Sequence, residues 1–308
     1  MTDPAQQGPG ASTSMPTGTI HDIGYRGFEG ARLGRRQITR ALFGHSLRGA
    51  YGLGRSARAK VLPMLLLGVM CLPAFIIAVI ANVGSSILTE LPLPYARYAV
   101  VTQGILTIFV AAQAPASVSR DLRFKTVPLY FSRPMERSDY VLAKFAALTV
   151  ALFLLLTAPL LIMYVGALLA ELPAGSQTVD LLLALVGALA FSIVFAGIGL
   201  VIASLTARRG FGVAAIITLF ALSFAAVSSL QGIVRYEVGD AMLAGWLGLL
   251  SPITLVDGFQ TWALDASSSA VAPPPGSTGG VVFTVVMLGV IAACWVLLNL
   301  RYRRVPVS

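Results

Sequence analysis

Long apolar runs separated by short polar stretches dominate the pattern along this chain. Six runs contain no Asp, Glu, Lys, Arg or His. Each has the roughly 20 residues that a helix needs to cross the hydrocarbon core of a bilayer. None alternates between polar and apolar positions as a barrel strand does, so each run must satisfy its backbone hydrogen bonds as a helix. The pattern predicts an all-α integral membrane protein with six transmembrane helices, at residues 61–81, 99–118, 145–170, 181–207, 211–234 and 281–300.

Basic residues lie almost entirely on one side of these predicted spans. Of the 22 Lys and Arg residues, 20 lie before the first span, between the second and third, between the fourth and fifth, or after the sixth. The two exceptions are Arg97 and Arg235. Loops rich in Lys and Arg stay in the cytoplasm. Both termini are therefore predicted to be cytoplasmic, and the chain to be a multi-pass protein of the cell (plasma) membrane.

Composition agrees with this reading of the pattern. Hydrophobic residues make up 56% of the 308 residues and charged residues 11%, against roughly 25% charged in soluble domains. The net charge of +9 would suit a nucleic-acid-binding protein, but the cytoplasmic loops account for it, so no nucleic acid is expected. Some of these basic residues are expected to meet membrane lipid headgroups. Cys71 and Cys294 lie inside apolar runs and offer neither a disulfide framework nor a metal site.

The polar segments divide the chain into parts. Residues 1–19 are predicted to be a disordered cytoplasmic tail, and residues 20–60 a basic, partly helical segment at the cytoplasmic membrane surface. The alternative for the second segment is a solvated basic tail that only sets topology. Residues 61–300 form the transmembrane domain, and residues 301–308 a cytoplasmic tail.

An extracellular insertion is predicted at 235–280, before the last span. Its apolar run at 241–250 is too short to cross a bilayer and favours a re-entrant or interfacial helix. A second short helix is expected around 254–263. The composition of residues 267–280, rich in Ser, Pro and Gly, is typical of a flexible linker.

The cytoplasmic loop at 119–144 carries six basic and three acidic residues around an apolar centre. Apolar side chains beside a charged rim are typical of a docking surface on another protein. The alternative is an amphipathic loop that rests on lipid headgroups. Ser138 with Asp139 is expected to start the helix of the third span. The apolar centre consists of Val127, Leu129, Tyr130 and Phe131.

Catalytic chemistry is hard to assemble from this sequence. Both histidines, His21 and His45, precede the first span, and no paired carboxylates occur inside a span. An enzyme is therefore not expected, and a proton-driven carrier has no group in the spans to titrate. No phosphate-binding loop of the G-x-x-x-x-G-K-[ST] type occurs in the chain. A transport subunit driven by a separate ATPase fits these features. The alternatives are an ATPase-independent secondary carrier or channel, and a structural or assembly protein of the membrane.

The run DLRFKTVPLYFSRPMERSDYVLAKFAAL at 121–148 resembles the cytoplasmic loop and following helix of type-2 ABC transporter permeases. The most specific part is Ser132-Arg133-Pro134, together with Tyr140 and Lys144-Phe145. The six-span layout, the cytoplasmic termini and the basic N-terminal segment are similar as well. The importer-type signature, Glu-Ala-Ala with a downstream Gly, does not occur in the expected segment, which favours export.

The resemblance implies how the chain is driven. It implies nucleotide-binding ATPase subunits and a second permease subunit, in a homodimer or a heterodimer, as partners. It implies no cofactor in this chain, since ATP and Mg²⁺ bind in the partner ATPase. The loop would act as the coupling element in a groove of that ATPase. The implied contact residues are Arg120, Asp121, Arg123, Lys125, Leu129, Tyr130, Phe131, Ser132, Arg133, Pro134, Glu136 and Arg137.

Four polar residues of the second span are candidates for lining a substrate pathway: Thr102, Gln103, Thr107 and Gln113. The alternative is that they make ordinary hydrogen bonds between helices. A lining of apolar and small polar side chains suits a hydrophobic or amphipathic cargo.

Overall fold

The computed structural model describes residues 34–54, 56–84, 90–119, 121, 130, 135–206 and 208–303. Every regular element in these ranges is helical. Five helices are long and apolar enough to cross a membrane, and a bent pair of shorter helices makes a sixth crossing if the pair is one span. The prediction of an all-α protein with several apolar spans is confirmed. Ten α-helices lie within the described ranges: α1 (Arg35–Ala50), α2 (Ala57–Val83), α3 (Tyr95–Val101), α4 (Gln103–Ser117), α5 (Arg137–Leu169), α6 (Ala174–Leu205), α7 (Arg209–Ile233), α8 (Ala241–Leu247), α9 (Pro252–Ala263) and α10 (Gly276–Arg303).

The second predicted span differs from expectation because it is two helices, α3 and α4, bent by 58°. The break lies at Thr102, whose hydroxyl donates to the carbonyl of Tyr98 at 2.7 Å. The hydroxyl of Tyr98 in turn donates to the carbonyl of Met70 on α2. Pro73 lies three residues after Met70 and cannot donate to the helix ladder. The Tyr98 hydroxyl therefore joins α3 to the proline-containing turn of α2.

Helix α5 is the centre of the bundle and packs against α1, α2 and α6. Its contact with α2 is close because Gly166 has no side chain. A Cβ at Gly166 would lie 2.2 Å from the Cβ of Ala78. One turn further along α2, Asn82 donates its amide to the carbonyl of Gly166 at 2.9 Å. Small residues that let backbones approach are typical of helix contacts in membranes.

Helix α1 runs beside the first half of α5 in the same direction. At its start Arg35 donates to the carboxylate of Asp139, and just beyond its end the hydroxyl of Tyr51 donates to the carbonyl of Ala151 at 2.7 Å. On this helix Leu42 and Ala50 are buried against the bundle. Predictions for residues 1–33 lie outside the described residues.

Helix α1 ends in a turn that two backbone hydrogen bonds close. The amide of Leu53 donates to the carbonyl of Arg48 at 2.8 Å, and that of Gly52 to the carbonyl of Gly49 at 3.1 Å. This pair of bonds is a Schellman motif, in which the residue after the helix takes a left-handed conformation. Gly52 has φ +68° and its Cα lies against Ala59 of α2, so only glycine fits.

The segment before the last span contains α8 and α9, with a π-helical turn at Val234–Val238 ahead of them. The prediction of a flexible linker at 267–280 is wrong, because α10 already begins at Gly276 and hydrogen bonds hold the preceding residues. The buried carboxylate of Asp257 on α9 accepts from the hydroxyl of Ser268 and the amides of Ser269 and Ala270, all at 3.0–3.2 Å. The composition of the segment could not indicate that it is ordered by hydrogen bonds, because their acceptor, Asp257, lies outside the segment.

Candidate functional site

The predicted ATPase-contact loop lies partly within the described residues. Four of the residues are described. Asp121 lies where the loop leaves α4, Glu136 and Arg137 lie where it enters α5, and Tyr130 lies between these ends. The remaining predicted contact residues lie outside the described residues. They are Arg120, Arg123, Lys125, Leu129, Phe131, Ser132, Arg133 and Pro134.

The two ends of the loop are joined by an ion pair. The ammonium of Lys144 lies 2.9 Å from the carboxylate of Asp121 and donates to the carbonyl of Ser117 at 3.0 Å. Only 8% of the Lys144 side chain and 17% of the Asp121 side chain are exposed. A buried charge needs a close partner, because its solvation by water has been lost. Lys144 therefore fixes the exit from α4 against the first turns of α5.

Tyr140 lies at the centre of the same group and is fully buried. Its hydroxyl donates to the carboxylate of Asp121 at 2.8 Å. Its ring lies 5.6 Å from the ring of Tyr130 in the loop and 5.0 Å from the ring of Tyr302 near the end of α10. These distances are typical of interacting aromatic pairs. Tyr140 thus connects the loop to the last helix of the chain.

Hydrogen bonds to backbone carbonyls add the ends of α6 and α10 to this group. Ser119 donates to the carbonyl of Ala203 at 2.8 Å, and Arg301 donates to the carbonyl of Ser204 at 3.2 Å. Arg137 donates to the carbonyl of Arg303. Carbonyls at the end of a helix lack partners within the helix, so basic side chains are favourable there. We name the set the loop junction: Ser117, Ser119, Asp121, Tyr130, Arg137, Tyr140, Lys144, Arg301 and Tyr302.

Helix α1 contacts the start of α5, next to the loop junction, through Arg35. Its guanidinium donates to Glu136 and, at 2.9 Å, to Asp139. The same two carboxylates form a capping box, with Glu136 as the N-cap residue in place of the expected Ser138. The hydrogen bond with Asp139, followed by that with Glu136, raises the pKa of Arg35 above its ordinary value. Nothing in the spacing of the sequence indicated Arg35 as a partner of these residues.

A polar cavity of about 100 Å³ lies between α1, α4 and α5 beside the ion pair. A space of this size can admit water. Water there would satisfy the buried hydroxyl of Ser46, which has no partner among the described residues. The polar residues of its wall are His45, Ser46, Gln113, Ser117, Asp121, Tyr130 and Lys144.

The four predicted pathway residues have different surroundings. Thr102 forms the break between α3 and α4, and Thr107 is buried. The side-chain oxygen of Gln103 is buried without a partner among the described residues. Gln113 lines the junction cavity, ten residues or about 15 Å along α4 from Gln103. The structure thus brings Gln113 to the loop junction and leaves Gln103 at the bend.

The loop junction lies near one end of α5. Helix α5 has 33 residues and is about 50 Å long, which exceeds the roughly 30 Å of a hydrocarbon core. Tyr140 and Lys144 lie in its first eight residues, so these polar groups lie near one end of the bundle. The described residues contain no group of three or more His, Cys, Asp or Glu residues that could hold a metal ion.

Comparison with known proteins supports the resemblance seen in the sequence. Comparison with curated proteins gave no match. The model of a family described as ABC-2 family transporter protein matches residues 12–305. This match covers nearly all of the 308 residues, including every predicted span and the loop junction. The chain therefore belongs to the ABC-2 transporter family and is a membrane-embedded permease component of an ABC transporter.

Proposed function

We propose that this permease exports a hydrophobic or amphipathic substrate, and that a separate ATPase drives it through the loop at 119–144. The observation that carries the proposal is the loop junction. There one ion pair and one tyrosine connect both ends of the loop to α4, α5 and α10. A loop that merely joined two spans would not need a buried charge at its base.

The proposed mechanism is mechanical. ATP and Mg²⁺ bind in the partner ATPase, whose closure displaces the loop. Lys144 of α5 is paired with Asp121 at the end of α4. The displacement of the loop therefore moves α4 and α5 together as one unit. The hydrogen bonds of Ser119 and Arg301 extend the movement to α6. ATP can shift the equilibrium between two conformations of the transporter only because it binds them with different affinity.

The loop residues themselves would form the contact with the ATPase. Basic side chains flank an apolar centre in this segment, which suits a groove with an apolar floor and an acidic rim. In this arrangement Arg133 contributes charge, while Leu129 and Phe131 contribute apolar area. The loop lies on the cytoplasmic side, as do both termini, which follows from the distribution of Lys and Arg.

A second permease subunit is part of the proposal. In the single chain, only 17% of the most apolar part of the α7 span is buried, against 61% for α6. A helix this exposed within its own chain has most of its surface free for a neighbouring subunit or for lipid. We place the subunit contact along α7 and the substrate pathway beside it. Export is supported by the lack of the importer-type signature in the expected segment.

Site-specific crosslinking to the ATPase tests the proposal. Cys71→Ala and Cys294→Ala remove the native thiols, and a single cysteine is then introduced by Phe131→Cys in the loop. The matched control is Ser267→Cys, between α9 and α10. With the partner ATPase present, we expect a crosslinked product from the loop cysteine alone. Equal crosslinking of both variants, or none with a functional complex, would contradict the proposal.

A transport assay distinguishes this proposal from the alternative of an ATPase-independent carrier or channel. Purified permease without the ATPase, reconstituted in proteoliposomes, is expected to move no substrate when ATP is supplied. Transport that proceeds at full rate without the ATPase would favour an independent carrier or channel. Accumulation inside vesicles that expose their cytoplasmic face would support export, since it moves substrate away from that face.

A further inference from the structure

A cavity of about 540 Å³ lies where α3, α6 and the end of α9 meet. Its volume is within the range of about 300–1,000 Å³ that is usual for sites of small-molecule ligands. The distribution of Lys and Arg predicts that this end of the bundle is extracellular, so we name the space the outer cavity. The first three turns of α6 line it with one face of the helix: Ser176, Gln177, Asp180, Leu183 and Ala184.

The wall of the outer cavity is acidic. Glu90, Asp180 and Asp265 line it from three different parts of the chain, and all three are exposed. No Lys, Arg or His is among the described residues of the wall. Arg97 of α3 lies outside the wall, and its guanidinium donates to the carbonyl of Ser268 at 2.6 Å. A cleft lined by one sign of charge attracts ligands of the opposite sign.

A buried amide in the same wall lacks a partner at one end. Only 6% of Gln177 is exposed. Its Oε1 accepts from the hydroxyl of Tyr95 at 2.9 Å, whereas its Nε2 has no hydrogen-bond partner in the part of the chain that the structure describes. A buried polar group without a partner is costly. Because Gln177 belongs to the wall, an acceptor atom of a ligand in the cavity would satisfy this amide.

Apolar side chains complete the site. Leu91, Leu183 and Leu264 line the cavity beside the carboxylates. One helical turn further into the bundle, the side chain of Gln260 on α9 packs directly on Gly187 of α6, where a Cβ would lie 1.7 Å from its Nε2. This contact closes the space between α6 and α9 below the cavity. The combination of charge, one polar contact and apolar area suits an amphipathic ligand.

We propose that the outer cavity binds an organic cation. The cationic nitrogen lies near Asp180 and Asp265, an oxygen of the ligand accepts from the amide of Gln177, and an apolar group lies against the leucines. A metal ion does not fit, because no group of three His, Cys, Asp or Glu side chains among the described residues could hold one. The site requires neither the ATPase nor a direction of transport, so the full-length chain alone is expected to bind the ligand.

Calorimetric titration of the purified chain in maltoside detergent with benzoylcholine tests the charge of the site. This probe has a trimethylammonium group, an ester carbonyl and a phenyl ring, and its neutral isostere is 3,3-dimethylbutyl benzoate. Each exposed ion pair contributes about two- to fivefold in affinity, so Asp180→Asn with Asp265→Asn should weaken benzoylcholine binding about tenfold. The matched control is Glu237→Gln with Asp240→Asn, which neutralises two exposed carboxylates outside the wall and should leave binding unchanged.

A second variant tests the hydrogen bond. Gln177→Leu should weaken benzoylcholine binding about fivefold. It should leave binding of benzyltrimethylammonium, a cation without the ester, unchanged. Equal effects on the two cations would contradict the contact with the amide.

Three other results would overturn the proposal. The first is equal affinity of the wild-type chain for benzoylcholine and its neutral isostere. The second is an equal loss in the control pair, since binding would then follow net charge alone. The third is displacement of benzoylcholine by phosphatidylcholine added to the micelles. A lipid headgroup would then be the ligand, although its phosphate is repelled by the same carboxylates.

Discussion

The ammonium of Lys144 lies 2.9 Å from the carboxylate of Asp121, across a loop of 22 intervening residues. Both groups are nearly buried, so the pair is screened little by water or salt. The carbonyl of Ser117 accepts a further hydrogen bond from the same ammonium. Lys144 is thus the residue through which the end of α4 and the start of α5 are held as one unit.

Lys144→Met should separate the two ends of the loop. It leaves the carboxylate of Asp121 buried with one partner fewer, and such a loss costs about 3 kcal/mol of stability. Thermal unfolding of the purified chain is therefore expected at a lower temperature, by several degrees. In the complex with the ATPase, we also expect ATP hydrolysis to continue while transport is lost.

Reversing the pair provides the control for this substitution. Lys144→Asp together with Asp121→Lys keeps both charges and should recover part of the stability and transport. Lys60→Met removes a lysine that lies at the start of α2 and should leave coupling unchanged. Uncoupling by Lys60→Met, or full transport in Lys144→Met, would be inconsistent with the role of the ion pair.

Tyr140→Phe distinguishes the contribution of the hydroxyl from that of the ring. The substitution removes the 2.8 Å hydrogen bond to Asp121 and keeps the contacts with the rings of Tyr130 and Tyr302. A hydrogen bond to a charged group contributes about 2 kcal/mol. Tyr140→Ala removes the ring as well and is expected to cost about 4 kcal/mol. Thermal unfolding of both variants measures the order, and equal losses would mean that the rings contribute nothing.

The sequence predicted the membrane spans well because an apolar run of fixed length has one stable structure in lipid. It did not predict the break at Thr102, since no proline or charge marks it. The sequence also indicated the loop, but not the ion pair that joins its two ends. Charge counting marked Lys144 only as one more basic residue. Its partner, Asp121, is 23 positions away, and only folding brings the two together.

Three features that the sequence did not predict share a physical origin: the bend at Thr102, the ion pair of Lys144 with Asp121, and the hydrogen-bonded segment before α10. Each depends on one polar group whose partner is distant in the sequence, as with Asp257 and Ser268. Periodicity reports which face of a helix is apolar, and it carries no information on such pairs. The residues of the loop carry its resemblance to ABC-2 permeases, whereas its attachment to α10 depends on a contact between Tyr140 and Tyr302, which are far apart in the sequence.

Gly166→Val should disrupt the contact between α2 and α5. The added Cβ alone would lie 2.2 Å from the Cβ and 2.8 Å from the Cα of Ala78, so the two helix backbones would have to move apart. Overpacking of this kind costs about 1–3 kcal/mol, and a branched side chain should lie at the upper end. The combination Gly166→Ala with Ala78→Gly removes the contact at 2.2 Å but leaves the new Cβ 2.8 Å from the Cα of residue 78, so it should recover only part of the lost stability. Gly68→Ala, at an open position on α2, is the matched control and should have little effect.

Asp257 should make the stability of the segment before α10 depend on pH. Burial raises the pKa of this carboxyl, while hydrogen bonds from Ala270, Ser268 and Ser269 partly oppose the rise. The folded chain therefore holds this proton more tightly than the unfolded chain, whose Asp has a pKa of about 3.9. Stability from this group is fully present below that value and is lost as the pH rises through the raised pKa of the folded state.

Asp257→Asn isolates this contribution because it removes the titrating group and keeps one carbonyl acceptor for the amides of Ser269 and Ala270. We expect the unfolding temperature of wild type to fall relative to that of the variant as the pH rises from 4 to 7. Asp265→Asn, an exposed acidic residue nearby, should show no such relative change. If the difference between wild type and Asp257→Asn grew in favour of wild type with rising pH, the carboxylate would be stabilised in the folded state. The hydrogen bonds from the segment would then outweigh the burial of the charge.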